Sequence, residues 1–239
     1  MDEHDPRPDD LKQLFINWEL VETTARFDSE ASFESMISKP VDIPQLKKLF
    51  DIYWEGNIPE KFPCMKDSLS VAPLMVRAGF QEAFNMWAIV DRTWPKIISE
   101  QFRNKTILEL FAGAGWLSKV LREQGQTVIA TDAYTQNHVT DIEEINAVDA
   151  VKKYASQTDV LLLSWPPYTS EEAAKALALW PDDKPVIYIG EDKGGCCATD
   201  EFFDRFDEHS THRIPQWPGI HDYLMIGSKR SDTRTVNSE

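Results

Sequence analysis

Ile107-Leu108-Glu109-Leu110-Phe111-Ala112-Gly113-Ala114-Gly115-Trp116-Leu117 decides how this chain is read. An apolar strand runs into a glycine-bearing turn, and a short helix follows with Trp116, Leu117, Val120 and Leu121 on one face. Glycine has no Cβ, so such a turn bends tightly and lets a ligand approach main-chain N–H groups. Gly125 is the natural stop of that helix.

Outward from this unit, strand and helix alternate. Thr106–Leu110, Thr127–Thr131, Asp159–Leu163, Val186–Ile189 and Tyr223–Ile226 read as strands. Helices are expected over 143–155, from a Thr169-Ser170-Glu171-Glu172 capping box through Trp180, and over Thr199–Asp207. Continuous apolar strands separated by helices predict an α/β fold: a Rossmann-like, doubly wound, mostly parallel sheet covered on both faces. Residues 11–100 read as a helical N-terminal extension. Its clearest piece starts near Pro73, with Val76, Phe80, Ala83, Phe84, Trp87, Val90 and Trp94 recurring every three or four residues until Pro95. Charged, proline-bearing residues 1–10 and the tail 229–239 read as disordered, which leaves 101–228 for the sheet domain.

Composition narrows the function. The 239 residues are 42% hydrophobic, ample for a core, and hold no apolar run long enough to span a membrane. The acidic start lacks the pattern of a secretory signal. Three cysteines, two of them adjacent at Cys196 and Cys197, do not make a disulfide framework, so a reducing, cytoplasmic setting is expected. No Cys/His set has metal-site spacing, and no metal is expected. A net charge of −15 argues against autonomous binding to long nucleic acid. A nucleotide-sized substrate, another small molecule or a protein remains open, as does the oligomeric state.

The first strand carries Glu109, the turn carries Gly113 and Gly115, and the second strand leads to Asp132, 17 residues after Gly115. In a doubly wound sheet, an acid at that strand end reaches the ribose hydroxyls of a bound nucleoside. A nicotinamide cofactor ranks lower, because Ser118 stands where the third glycine of Gly-x-Gly-x-x-Gly belongs.

Residues 105–190 resemble a class I S-adenosylmethionine-dependent methyltransferase, whose first motif is an acid followed by a glycine-rich loop. With Phe111 in place of the first glycine, the loop resembles that of the nucleic-acid amino- and cytosine-methyltransferases. The resemblance implies S-adenosylmethionine as cofactor. Glu109, Phe111, Gly113 and Gly115 would surround its methionine part, Asp132 its ribose, and Asp141 with Ile142 its adenine, with Ser164 also on the cofactor side. The segment from Asp132 to Asp141 is short for a full crossover helix.

Ser164-Trp165-Pro166-Pro167-Tyr168 follows another apolar strand and resembles the family's Asp/Asn/Ser-Pro-Pro-aromatic motif for methylating planar nitrogens. In that motif a side-chain oxygen and the first proline's carbonyl accept the amine N–H bonds, and the aromatic ring stacks on the acceptor. Trp165 departs from it, because indole is only a donor. A residue before proline is held extended, which would turn Ser164 the opposite way. Three readings follow: Trp165 stacks on a planar substrate with the Pro166 carbonyl as sole acceptor; the substrate is not a base amine; or the chain is a catalytically inactive, methyltransferase-like module serving a protein partner. Trp165, Pro166 and Tyr168 are the candidate catalytic residues. Pro167, Glu191 and Trp217 are candidates for substrate binding, with Trp217 closing the pocket. His221 beside Asp222 fits either a base with its orienter or a hydrogen-bonded loop residue.

Overall fold

The computed structural model describes residues 43–56, 77, 79–81, 83–134, 137–217 and 220–230. These fall into two compact units. One holds the residues up to Thr93 together with 215–217; the other holds Trp94–Ile214 and the residues from Ile220 onward.

In the first unit, helix α1 (Ile43–Trp54) brings Phe50 and Tyr53 to an aromatic cluster. Phe50 lies 4.3 Å from Phe84, and Tyr53 meets Phe80 edge-on at 5.3 Å. The expected start of the second helix, near Pro73 and Val76, lies outside the described residues. Its described residues are helical up to Phe84 and no further. Asn85, at φ +49, takes the left-handed conformation that ends helices, so the expected run to Trp94 is too long. Trp87, read as part of the buried stripe, is instead 64% exposed.

The second unit opens with α2 (Lys96–Gln101), directly behind Pro95. Its sheet contains β1 (Thr106–Leu110), β2 (Thr127–Asp132), β3 (Glu143–Glu144), β4 (Val160–Ser164), β5 (Pro185–Glu191), β6 (Phe206–Arg213) and β7 (Asp222–Lys229). The helices between them are α3 (Trp116–Glu123), α4 (Ala147–Tyr154), α5 (Glu172–Leu179) and α6 (Asp200–Arg205). The strand order is β3-β2-β1-β4-β5-β7-β6. The first five run parallel, and β7 lies antiparallel between β5 and β6. This is the expected α/β architecture.

Strands β1 and β4 are almost wholly buried because both faces are covered. On one face, Leu108, Leu110, Leu161, Leu163, Val186 and Tyr188 pack against Ala150, Val151, Ala174, Leu177 and Phe202 from the helices and Trp180 just behind α5. α3 buries Leu117, Ser118, Val120 and Leu121, and Gly125 at φ +86 turns the chain out of it.

Several local expectations are corrected. The helix expected over 143–155 begins at Ala147, where Asn146 caps it by accepting the Asp149 N–H at 2.9 Å, and 143–144 pair with β2 instead. The Thr169 capping box does not form. α5 starts at Glu172, whose N–H reaches the Ser170 hydroxyl at 3.2 Å. A strand unforeseen in the sequence, β6, follows α6 directly; Phe206 is its one buried residue, so it shows no apolar alternation. Lys229 still belongs to β7, and Arg230 donates main-chain and guanidinium hydrogen bonds to carbonyls of Asp204, Arg205 and Phe206, so the ordered chain continues into the expected tail. Among the described residues, no helix is long and apolar enough to cross a membrane.

Candidate functional site

The chain crosses from one side of the sheet to the other between β1 and β4, the switch point where a parallel sheet leaves a crevice beyond its carboxyl ends. Leu110, Asp132, Glu144, Ser164 and Glu191 end the five parallel strands on that rim. The glycine turn fills the gap after β1. Phe111 (φ +60), Gly113 (φ +55) and Gly115 (φ +86) all adopt left-handed backbone, so Phe111 occupies a conformation usually left to glycine. Asp132 grips this turn: its Oδ2 accepts the Gly113 N–H at 2.8 Å, and its Oδ1 accepts the Tyr134 N–H at 2.9 Å.

The two glycines serve different ends. A Cβ on Gly113 would meet nothing within 4 Å, so that face of the turn is open. A Cβ on Gly115 would come within 2.6 Å of Ile142 Cδ1 and 2.8 Å of Thr140 Cγ2, so Gly115 lets the segment before β3 lie on the turn. The Val139 N–H, donated to the Ala114 carbonyl at 2.9 Å, fastens that segment. The open face of Gly113 and the carboxylate that ends β2 thus lie side by side. The Asp132 carboxylate accepts two hydrogen bonds here, about half of its acceptor capacity.

Glu109 lies fully buried beneath the turn. Its carboxylate accepts the Ser118 hydroxyl from α3 and, at 2.8 Å, the Ser164 hydroxyl from β4. Burial pushes its pKa up from the usual carboxylate range, against the lowering effect of the two hydroxyls and of the Arg122 charge. Sequence reasoning missed this bridge. The available signal was Ser118, a polar residue on the apolar face of α3.

The end of β4 departs from expectation at two atoms. Trp165 is not extended: its φ is +48, although a proline follows. Its N–H is held by the Ile189 carbonyl at 2.8 Å. Its ring sits edge-on to Trp94 at 6.5 Å, and its buried Nε1 has no hydrogen-bond partner. The Pro166 carbonyl, expected to stand free for a substrate amine, already accepts the Ala198 N–H at 2.7 Å. Pro167 forms a bridge with Cys197, and Tyr168 is 56% exposed beyond it.

Glu191 is only 12% exposed at its side chain and braces its own loop: Oε2 accepts the Cys196 N–H at 2.7 Å and Oε1 the His221 N–H at 3.2 Å. The His221 ring is largely exposed. Burial raises the neighbouring Cys197 thiol to about 11, so it stays protonated at neutral pH. Trp217 is a core residue of the first unit. It packs against Tyr53 and Phe80 and donates Nε1–H to the Trp87 carbonyl at 3.1 Å. Asp141 and Ile142 precede β3 rather than follow it. Arg122 holds the Asp141 carbonyl at 2.8 Å and the Val128 carbonyl, near the start of β2, at 2.9 Å. Asp141 and Ile142 thus lead into the strand, and the Ile142 side chain lies against the Gly115 turn. Glu144 and Ile145 leave β3 at the rim, where the Ile145 N–H binds the Asp132 carbonyl at 2.8 Å.

No protein-family model matches the sequence, and no curated protein matches it. Solved structures of similar shape include the ribosomal protein L11 methylase of Lactobacillus delbrueckii subsp. bulgaricus, 15% identical over 57% of this chain and 77% of that one, with a TM-score of 0.39. MtNAS, a nicotianamine synthase, is 11% identical over 90% of this chain and 99% of its own, with a TM-score of 0.47. The 1,6-didemethyltoxoflavin-N1-methyltransferase of Burkholderia thailandensis, solved with S-adenosylhomocysteine bound, is 15% identical over 81% and 93%, with a TM-score of 0.38.

Proposed function

We propose that this chain is an S-adenosylmethionine-dependent methyltransferase acting on a planar acceptor, a nitrogen of a nucleotide, small molecule or protein side chain. One observation carries the reading: an open glycine turn, gripped by the acid that ends the next strand, at the switch point of the sheet. Asp132 holds the ribose hydroxyls, and the main chain from Phe111 to Gly115 receives the methionine part. The cofactor supplies an already activated methyl group on a sulfonium.

The chain's own task is alignment and exclusion of water. Trp165, Pro166 and Pro167 build the wall at the end of β4, and Tyr168 offers its exposed ring for stacking on a flat acceptor. The Pro166 carbonyl keeps one lone pair beyond the Ala198 N–H, enough for one acceptor N–H. The acidic charge of the chain favours a nucleotide-sized or protein acceptor over bare DNA or RNA.

Asp132→Ala is expected to weaken S-adenosylmethionine binding at least about tenfold, the loss of a charge-assisted hydrogen bond. Trp165→Ala is expected to leave that affinity in place and to lower methyl transfer from labelled cofactor into fractionated cell extract. Equal losses of affinity in the two variants would contradict this division of roles.

A further inference from the structure

The buried carboxylate of Glu109 joins the two halves of the crevice. Ser118 lies in the first turn of α3, three residues past Gly115, and its hydroxyl donates to one carboxylate oxygen. Ser164 is the last residue of β4, immediately before Trp165, and its hydroxyl donates to the other at 2.8 Å. All three residues are buried. β2 is fastened to the same point: the Thr131 hydroxyl donates to the Glu109 carbonyl at 2.9 Å, and the Thr131 carbonyl accepts the Ala112 N–H at 3.1 Å.

Burying an unpaired carboxylate is unfavourable, and well-packed apolar residues of similar volume would hold β1, α3 and β4 together at least as firmly. Arg122, the cation nearest in effect, gives its hydrogen bonds to Thr140, Asp141 and Val128 instead. What hydroxyl–carboxylate bonds add is direction. They fix the rotation of α3 relative to the end of β4 to within the narrow geometry of a hydrogen bond. The element they fix is under strain: Trp165 has left-handed backbone in front of a proline, a conformation that persists only where its surroundings impose it.

We propose that Ser118, Glu109 and Ser164 are positioning residues, a buried bridge through which occupancy of the glycine turn sets the orientation of Trp165 at the acceptor wall. The inference rests on the cofactor reading above and deepens it, since it assigns the means by which the donor and acceptor sides are held in register. A ligand settling against the open face of Gly113 shifts the turn that leads into α3. Ser118 transmits that shift to Glu109, and Ser164 passes it to the residue that follows it.

The test uses the full chain labelled with 5-fluorotryptophan, with the Trp165 signal among the eight tryptophans assigned by its loss in Trp165→Phe. Saturating S-adenosylhomocysteine should move the Trp165 fluorine resonance in the wild-type protein. In Ser164→Ala, and separately in Ser118→Ala, that movement should fall by at least half at saturation, while S-adenosylhomocysteine still binds by calorimetry. A full-sized movement in both variants would overturn the proposal, as would a Trp165 signal indifferent to the ligand in the wild type. Failure of the wild-type chain to bind S-adenosylhomocysteine at all would overturn the cofactor reading itself, and this inference with it.

Discussion

Gly113 and Gly115 sit two residues apart with left-handed backbone and have opposite tolerances. Gly115→Ala places a methyl group 2.6 Å from Ile142 at φ +86, and is expected to destabilise the fold by about 2–4 kcal/mol in chemical denaturation. Gly113→Ala meets no neighbour, so its cost is the conformational one of about 1 kcal/mol, while S-adenosylhomocysteine binding should drop sharply because the new Cβ stands on the open face. Glu109 yields a pH-dependent expectation. Its folded-state pKa is raised, so the native state holds a proton that the unfolded chain has already released, and stability falls as pH rises through that window. Glu109→Gln should therefore have a higher Tm than the wild type at pH 7, with the gain shrinking as pH is lowered toward about 4, the unfolded carboxylate range. The turn built by Gly113 and Gly115 and its neighbour Asp132 were legible in the sequence because their spacing is local, whereas the burial of Glu109 between Ser118 and Ser164 was not. The backbone of Trp165 was not: a preceding-proline rule argues for extension, and contacts from β5 and the Ala198 segment override it.

At the level of elements, the parallel strands were legible from their apolar runs, and the edges were not. β6 consists of Phe-Asp-Glu-His-Ser-Thr-His-Arg, a polar edge strand paired on one side only, and nothing in its pattern marks a strand. The two-residue β3 lies beyond any periodicity argument, so the sequence could not tell that Asp141 and Ile142 lead into a strand. The opposite end of the sheet carries its own pin. Asp159, just before β4, accepts the Thr106 N–H of β1 at 2.8 Å and lies 3.6 Å from Lys105. The Thr106 N–H above all, and then the Lys105 charge, hold its carboxyl below the usual range. A depressed carboxyl pKa stabilises above the unfolded value and loses that effect as pH falls through the folded one. Asp159→Asn should thus lower Tm at pH 7, the gap to the wild type closing below about pH 4, and should leave S-adenosylhomocysteine binding unchanged.

At the scale of the whole molecule, the strand order brings candidates to the ends of different strands: Asp132 ends β2, Ser164 ends β4 with Trp165 directly behind it, and Glu191 ends β5. Trp217 belongs to the aromatic core of the first unit, a placement that sequence order could not foretell because residues 215–217 return to that unit from between β6 and β7. We propose that the glycine turn and Asp132 receive S-adenosylmethionine rather than a dinucleotide. Titration calorimetry of the full chain with S-adenosylmethionine and, in parallel, with NAD tests it most directly. Saturable binding of S-adenosylmethionine is expected, with a Kd in the micromolar range, about −7 to −8 kcal/mol, and no heat with NAD. Absence of S-adenosylmethionine binding at millimolar concentration, or tighter binding of NAD, would contradict it.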